Sequence, residues 1–263
     1  MKPSLTIIKV GGAVVEDKAQ LTQLLRDFTA IQGPKILVHG GGRRATKIAE
    51  RLGIETKMID GRRITDAEML EVVTMVYGGL VNKNVVARLQ ALGCDAIGLT
   101  GADANILLSQ KRPLKMVNGE PVDYGFVGDV KQASGSKIAH FIDADLIPVI
   151  APLTHDGQGH MLNTNADTMA SETAKAMAAV GYDVTLIYAF EKPGVLRDAD
   201  DDNSVITTIN HADFETYKAD GTISGGMLPK IENALAAIDA GVKRVIITKA
   251  TAIDGQHGTV ITK

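Results

Sequence analysis

The chain has 263 residues, 45% hydrophobic and 22% charged, with a formal net charge of −3, a globular balance with enough length for one large domain or two fused lobes. That charge offers no footprint for nucleic acid or an anionic membrane, and 4% aromatic residues with no Trp argue against base-stacking surfaces. The single cysteine, Cys94, excludes an internal disulfide and suits a reducing, cytoplasmic setting; no apolar run reaches the length of a membrane span, and the stretch 5–10 is too short for a signal peptide.

Leu5–Val10 reads as a buried strand, followed at once by Gly11-Gly12. Lys9 within it is either an exposed lysine on an edge strand or a cation aimed at an anion, since a buried unpaired ammonium is costly. The two glycines would let backbone N–H groups approach the same anion. Ala19–Thr29 carries Leu21, Leu24, Leu25 and Phe28 at helical spacing. Lys35–Val38 is a second strand, and Gly40-Gly41-Gly42 leads into a helix over Arg43–Leu52. Ala67–Tyr77 and Val81–Leu92 read as helices and Ala96–Leu99 as a strand. Lys115–Val130 contains the hairpin signal Val117-Asn118-Gly119-Glu120 and reads as a β-ribbon. Ile147–Ile150, Val184–Tyr188 and Arg244–Ile247 are further strands, with helices over Ala166–Val180 and Leu228–Ala240. The acidic run Asp198–Asp202 reads as a solvated loop rather than a calcium loop, because it has no turn glycine. Strands alternating with helices predict an α/β fold with a parallel sheet covered on both faces.

Five segments could carry chemistry. Gly11-Gly12 and Gly40-Gly41-Gly42 each follow a strand, where a helix N-terminus offers unpaired N–H groups to an anion; tight turns alone are the alternative. Gly40–Ala45 also fits a dinucleotide fingerprint with Asp60 about twenty residues on, but that position reads as loop, which makes the match a decoy. Asp60-Gly61-Arg62-Arg63 offers guanidinium groups that either hold a carboxylate or stay solvated. Asn163, Asn165 and Asp167 are spaced by two, so an extended stretch would put them on one side; any one could instead be an N-cap. Ser224–Lys230 begins a helix with Pro229 in its first turn, and Lys230 there is unfavourable beside the dipole unless an anion binds; a surface lysine is the alternative. No P-loop is present. Two lysines at glycine-bearing turns, an aspartate and an arginine suit phosphoryl transfer between polyanions, which needs positioning and charge cover more than covalent help.

Ile8–Gly12, His39–Gly42, Gly61–Thr65, Asn163–Asp167 and Gly225–Lys230 occur in the order and spacing of the acetylglutamate kinases, and the chain resembles that family, within the amino acid kinase superfamily, over essentially its whole length. The resemblance implies a three-layer αβα sandwich around a mainly parallel sheet. Residues 1–180 would bind the N-acylglutamate and 181–263 the nucleotide, sharing one continuous sheet. It implies MgATP-dependent phosphorylation of the γ-carboxylate of an N-acyl-L-glutamate in arginine biosynthesis. Lys9 and Lys230 would cover the transferring phosphoryl oxygens and Asp167 would hold both ammonium groups. Gly11, Gly12, Gly41 and Gly226 would donate N–H bonds to phosphate groups. Gly42, Arg63, Asn163 and Asn165 would hold the acylglutamate, Arg63 on its α-carboxylate. Mg²⁺ would be held by phosphates and water, so no protein metal ligand is named. A carboxylate nucleophile is already ionised at neutral pH and needs no general base, which leaves His39 a turn residue.

Three departures from the family pattern stand out. Tyr188–Leu196 replaces a Thr-Asp-Val-Pro-Gly-Val-Leu run, which bears on adenosine contacts and not on transfer. Gly98–Ala104 lacks the usual Lys-Asp-Gly, and with the ribbon Tyr124–Gly128 it lies on the acylglutamate half, so succinyl stands beside acetyl as the acyl group. Arginine-inhibited relatives carry an extra N-terminal helix, and only Met1–Ser4 precede the first strand here. A homodimer insensitive to arginine is therefore expected, with the helix Ala67–Tyr77 either a dimer face or part of the core.

Overall fold

In the computed structural model, which describes residues 3–59, 62–117 and 119–263, eight strands form the central sheet. Their order is Thr208–Ile209, Thr259–Ile261, Arg244–Lys249, Asp183–Phe190, Ser4–Val10, Lys35–His39, Ile147–Ile150 and Ala96–Leu99. All neighbours pair parallel except Arg244–Lys249 with Thr259–Ile261. The six longest of these strands are those expected from sequence. Asp60, Gly61 and Asn118, which figure in the signals above, lie outside the described residues.

Side chains of Ser4–Val10 divide by parity, as a strand buried on both faces requires. Leu5 and Ile7 pack with Met169, Ala170, Ala174 and Met177 of the helix Ala166–Ala179. Ile8 and Val10 pack on the opposite face with Leu21, Leu24, Leu25 and Phe28 of the helix Lys18–Ala30. Helices therefore cover both faces of one sheet, which takes strands from both before and after residue 180. Lys9 has the parity of Leu5 and Ile7, so it lies on the side of the helix Ala166–Ala179. It is 8% exposed, and its strand is central, which removes the edge-strand alternative.

The two helices expected over Ala67–Tyr77 and Val81–Leu92 are one rod. An α-helix over Ala67–Val73 passes through a π-type stretch over Thr74–Val81 into an α-helix over Asn82–Ala91. Gly78-Gly79 widens the helix instead of breaking it. Met69, Val72, Val73, Val76 and Tyr77 are buried in the core, and only Met75 and Leu80 of the central stretch stay apolar and exposed, so little of this helix remains as a dimer face.

A second sheet holds Met161–Asn163, Leu153–His155, Leu107–Lys111 and Gly128–Ala133, in that order. The expected ribbon is split. Lys115–Val117 pairs with Glu120–Val122 as a hairpin, while Gly128–Ala133 joins the second sheet. The acidic loop is tied down by a cation, Lys192 Nζ lying 3.0 Å from Asp202 Oδ1.

Candidate active site

The carboxyl ends of Ser4–Val10, Lys35–His39 and Asp183–Phe190 meet the start of the helix Ala166–Ala179, where an α/β sheet places its ligands. Asn165 caps that helix, its side-chain oxygen accepting from the N–H groups of Asp167 and Thr168 at 2.8 and 3.0 Å. The cap puts Asp167 in the first turn, above Lys9. Lys9 Nζ lies 2.8 Å from Asp167 Oδ1. Lys230, in the first turn of the helix Met227–Asp239, brings its Nζ to 3.3 Å from Asp167 Oδ2. Burial alone would push the Asp167 carboxyl up, but the two ammonium charges and their hydrogen bonds outweigh it and hold the pKa down at about 2. Burial, and then the charge of Lys9, push Lys230 below the ordinary lysine value, against the pull of Asp167. Its ammonium also lies over the rings of Tyr188 and Phe190, 5.6 and 5.4 Å from their centroids. The altered stretch that begins at Tyr188 therefore reaches the lysine pair as well as the region expected to hold adenosine.

The even spacing of Asn163, Asn165 and Asp167 does not act as an extended face, because the helix begins at Ala166. Asn163 and Asn165 line a pocket of about 190 Å³ with Gly42, Arg62, Arg63 and Tyr77. Asn163 donates from Nδ2 to Thr65 Oγ1 at 2.9 Å. Asn165 spends its oxygen on the cap, so its amide nitrogen is the donor left to the pocket. Arg63 is buried, and Nη2 donates to Gly42 O and Thr46 Oγ1, both at 2.9 Å, while Nη1 reaches Thr56 Oγ1 at 3.2 Å. These partners are neutral, and no carboxylate among the described residues pairs with its charge. Val127 of the ribbon also lines this pocket, whereas no residue of Gly98–Ala104 does.

The glycine turns divide by what their N–H groups do. Gly11 donates to Ala189 O at 3.0 Å, which corrects its expected role as a phosphate donor: the sheet already uses its N–H. Gly12 opens the short helix Gly12–Glu16, and Gly41 caps the helix Gly42–Arg51; neither N–H has a partner within its own helix. A Cβ on Gly12 would stand 3.5 Å from Gly41 N, so the two turns face each other closely. Gly226 caps the helix that carries Lys230 and has open space around it.

His39 is more than a turn residue. It is fully buried, donates from Nδ1 to Gly40 O at 2.8 Å and accepts at Nε2 from Asn82 Nδ2 at 3.1 Å. Asn82 also donates to Val149 O at 2.9 Å, which fixes its amide orientation. Burial drops the His39 pKa to about 4, so the ring is neutral and pins the glycine turn. Tyr77 is the pocket residue that sequence reasoning missed. It lies in an apolar helical stripe that reads from sequence as either dimer face or core, and the Gly78-Gly79 pair beside it is the signal of irregular winding.

Residues 4–249 match the sequence profile of the amino acid kinase family. The chain is 64% identical to the acetylglutamate kinase of Bacteroides thetaiotaomicron over 263 residues, all of both chains. It is 39% identical to that of Methanopyrus kandleri over 257 residues, 98% of this chain and all of the other. Among solved structures, smu.665 from Streptococcus mutans superposes with a TM-score of 0.79 at 29% identity, over 98% of each chain. Giardia lamblia carbamate kinase bound to AMP-PNP shares the fold, with a TM-score of 0.67 at 14% identity over 99% of each chain. A match across nearly the whole chain, with full-length relatives above 60% identity, places this chain in the amino acid kinase family, among its acetylglutamate kinases.

Proposed function

We propose that the protein transfers the γ-phosphoryl group of ATP to the γ-carboxylate of an N-acyl-L-glutamate, giving ADP and an acyl phosphate in arginine biosynthesis. The observation that carries this reading is the Lys9–Asp167–Lys230 cluster beside the Arg63 pocket. A γ-carboxylate oxygen attacks the γ-phosphorus in line, the bond from that phosphorus to the bridging oxygen breaks, and ADP leaves with the electron pair. Negative charge on the three equatorial oxygens is spread through the transition state, and two ammonium groups fixed by one carboxylate meet it without reorganising. The N–H groups of Gly12, Gly41 and Gly226 cradle the phosphates. Arg63 and Asn163 hold the acylglutamate, with Gly42 shaping the wall and Asn165 adding an amide donor. Residues 1–180 supply the acylglutamate half and 181–263 the nucleotide half.

Mg²⁺ bound with ATP would supply neutralisation of phosphate charge alongside Lys9 and Lys230. We name no protein ligand for it, since the phosphates and water would carry it. We place the protein in the cytoplasm, in keeping with its single cysteine, and propose a homodimer, with Met75 and Leu80 as the apolar contribution of the long helix. Light scattering checks the mass.

The decisive test is purified protein with MgATP, hydroxylamine and either acetyl- or succinylglutamate. A hydroxamate dependent on both substrates supports the reading, and comparing the two acyl groups gives the preferred one. ATP binding with no product from either would favour a non-catalytic sensor, and product only from a different acceptor would favour another carboxylate or carbamate kinase.

A further inference from the structure

We infer that Tyr77 is a specificity-determining residue, whose phenol hydroxyl donates a hydrogen bond to the substrate carboxylate that Arg63 receives. The inference rests on the acylglutamate reading of the pocket and adds a contact to it. Tyr77 is 5% exposed, and one edge of its ring packs against the glycine turn: a Cβ on Gly41 would come within 2.8 Å of Tyr77 Cδ1 and 3.1 Å of Cε1. Its hydroxyl lies at the mouth of the turn, 3.9 Å from the place a Cβ would take on Gly42, where an Arg63 Nη2 stands at the same distance. Tyrosine and arginine therefore converge on one spot of the pocket wall.

Their chemistry differs in a way that leaves one donor over. A guanidinium has donors only, so Arg63 can give a hydrogen bond to the phenol but cannot accept one from it. A buried tyrosine hydroxyl ordinarily finds an acceptor. Among the described residues the Tyr77 O–H makes no hydrogen bond to an acceptor, and the nearby Gly42 O and Thr46 Oγ1 accept instead from Arg63 Nη2. Burial pushes the phenol above its ordinary pKa, and Arg63 opposes that without cancelling it, so the proton is present at neutral pH. The acceptor the pair is built for is an anion entering the pocket, and a carboxylate has the lone pairs to take both groups.

The winding of the helix is what aims the side chain. Tyr77 lies in the π-type stretch Thr74–Val81. One extra residue in a turn rotates the following side chains, and such turns are frequent at functional sites. Val76 and Val81 belong with Tyr77 to one buried apolar cluster, which holds the ring in place.

Tyr77→Phe keeps the ring and removes only the hydroxyl. In the hydroxamate assay the variant is expected to raise KM for the acylglutamate about tenfold or more, the scale of one hydrogen bond to a charged group. KM for ATP and kcat should stay within about twofold, and Tm within a few degrees. A structural role would lower Tm or kcat and move both KM values together, and either result overturns the inference, as does an unchanged KM for the acylglutamate. If the wild-type protein itself forms no acyl phosphate, it is the kinase reading that fails; an active wild type with an indifferent Tyr77→Phe sinks this inference alone.

Discussion

Lys9 Nζ lies 2.8 Å from Asp167 Oδ1 across the junction of the central strand and the helix on its face, and the same carboxylate holds Lys230 from a helix that begins sixty residues later. One aspartate thus ties together groups from both segments of the sheet. Two ammonium groups this close repel unless a negative charge lies between them, so the separation of the lysines depends on Asp167.

Asp167→Asn should cut turnover at least 10²-fold and lower stability by about 3 kcal/mol, as expected when one partner of a largely buried ion cluster is removed. The pH dependence follows from a folded pKa of about 2 against an ordinary 3.8. A depressed carboxyl contributes stability above its unfolded pKa and loses it as pH falls through the folded one. Denaturant unfolding should therefore show a wild-type advantage that is constant near neutrality and shrinks between about pH 4 and pH 2. An advantage that persists undiminished at pH 2 would mean that Asp167 is not the group stabilised by the lysines.

Lys230→Ala and Lys9→Ala should each lower kcat by roughly 10²–10³, the scale for losing one donor to developing charge. Lys9→Ala should also reduce stability, because it is buried and leaves Asp167 with a single cation. Since burial and the charge of Lys9 lower the pKa of Lys230, the alkaline limb of kcat should fall earlier than an ordinary lysine would allow. Steady-state kinetics with both substrates varied is the check; losses confined to KM for ATP would assign the lysine to ground-state binding.

How much of this could be read in the chain follows from the range of the forces involved. The six long strands, the helices over Lys18–Ala30 and Ala166–Ala179, and the residues Lys9, Asp167 and Lys230 were legible, because parity, helical spacing and glycine turns are local signals. The strands Thr208–Ile209 and Thr259–Ile261 are too short for a pattern and exist through pairing. The helices Gly135–Asp143 and His211–Ala219 went unread, although Asn210 and Asp213 form a capping box at the second. Gly11 shows the limit at the site: its sequence context matches a phosphate turn, but a sheet hydrogen bond to Ala189 claims its N–H. Tyr77 and His39 were illegible for the same reason, since their roles come from Gly41, Arg63 and Asn82, which meet them only in the folded chain.

Arg63→Lys should raise KM for the acylglutamate by tenfold or more with little change in KM for ATP. Lysine cannot reproduce a planar fork that reaches Gly42, Thr46 and Thr56 at once. A modest loss of Tm should accompany it, because those contacts brace the first turn of the helix Gly42–Arg51. An effect on KM for ATP alone would put Arg63 on the wrong side of the reaction.

Gly41 and Gly226 both cap helices beside the site, yet they should respond to the same substitution in opposite directions. A Cβ on Gly41 meets the Tyr77 ring at 2.8 and 3.1 Å, and that ring is wedged in the core and cannot swing aside. Gly41→Ala should therefore lower Tm and raise KM for the acylglutamate as Tyr77 is displaced from Arg63. Gly226 has φ −66° and ψ −11°, a conformation alanine adopts freely, with nothing within 4 Å of the new methyl. Gly226→Ala should raise stability by about 0.5–1 kcal/mol through the lost freedom of the unfolded chain. Thermal unfolding of the two variants side by side reads the contrast directly. If Gly41→Ala were as stable as the wild type, the ring would have room to move, and the close packing that holds Tyr77 against the turn would not be what orients its hydroxyl.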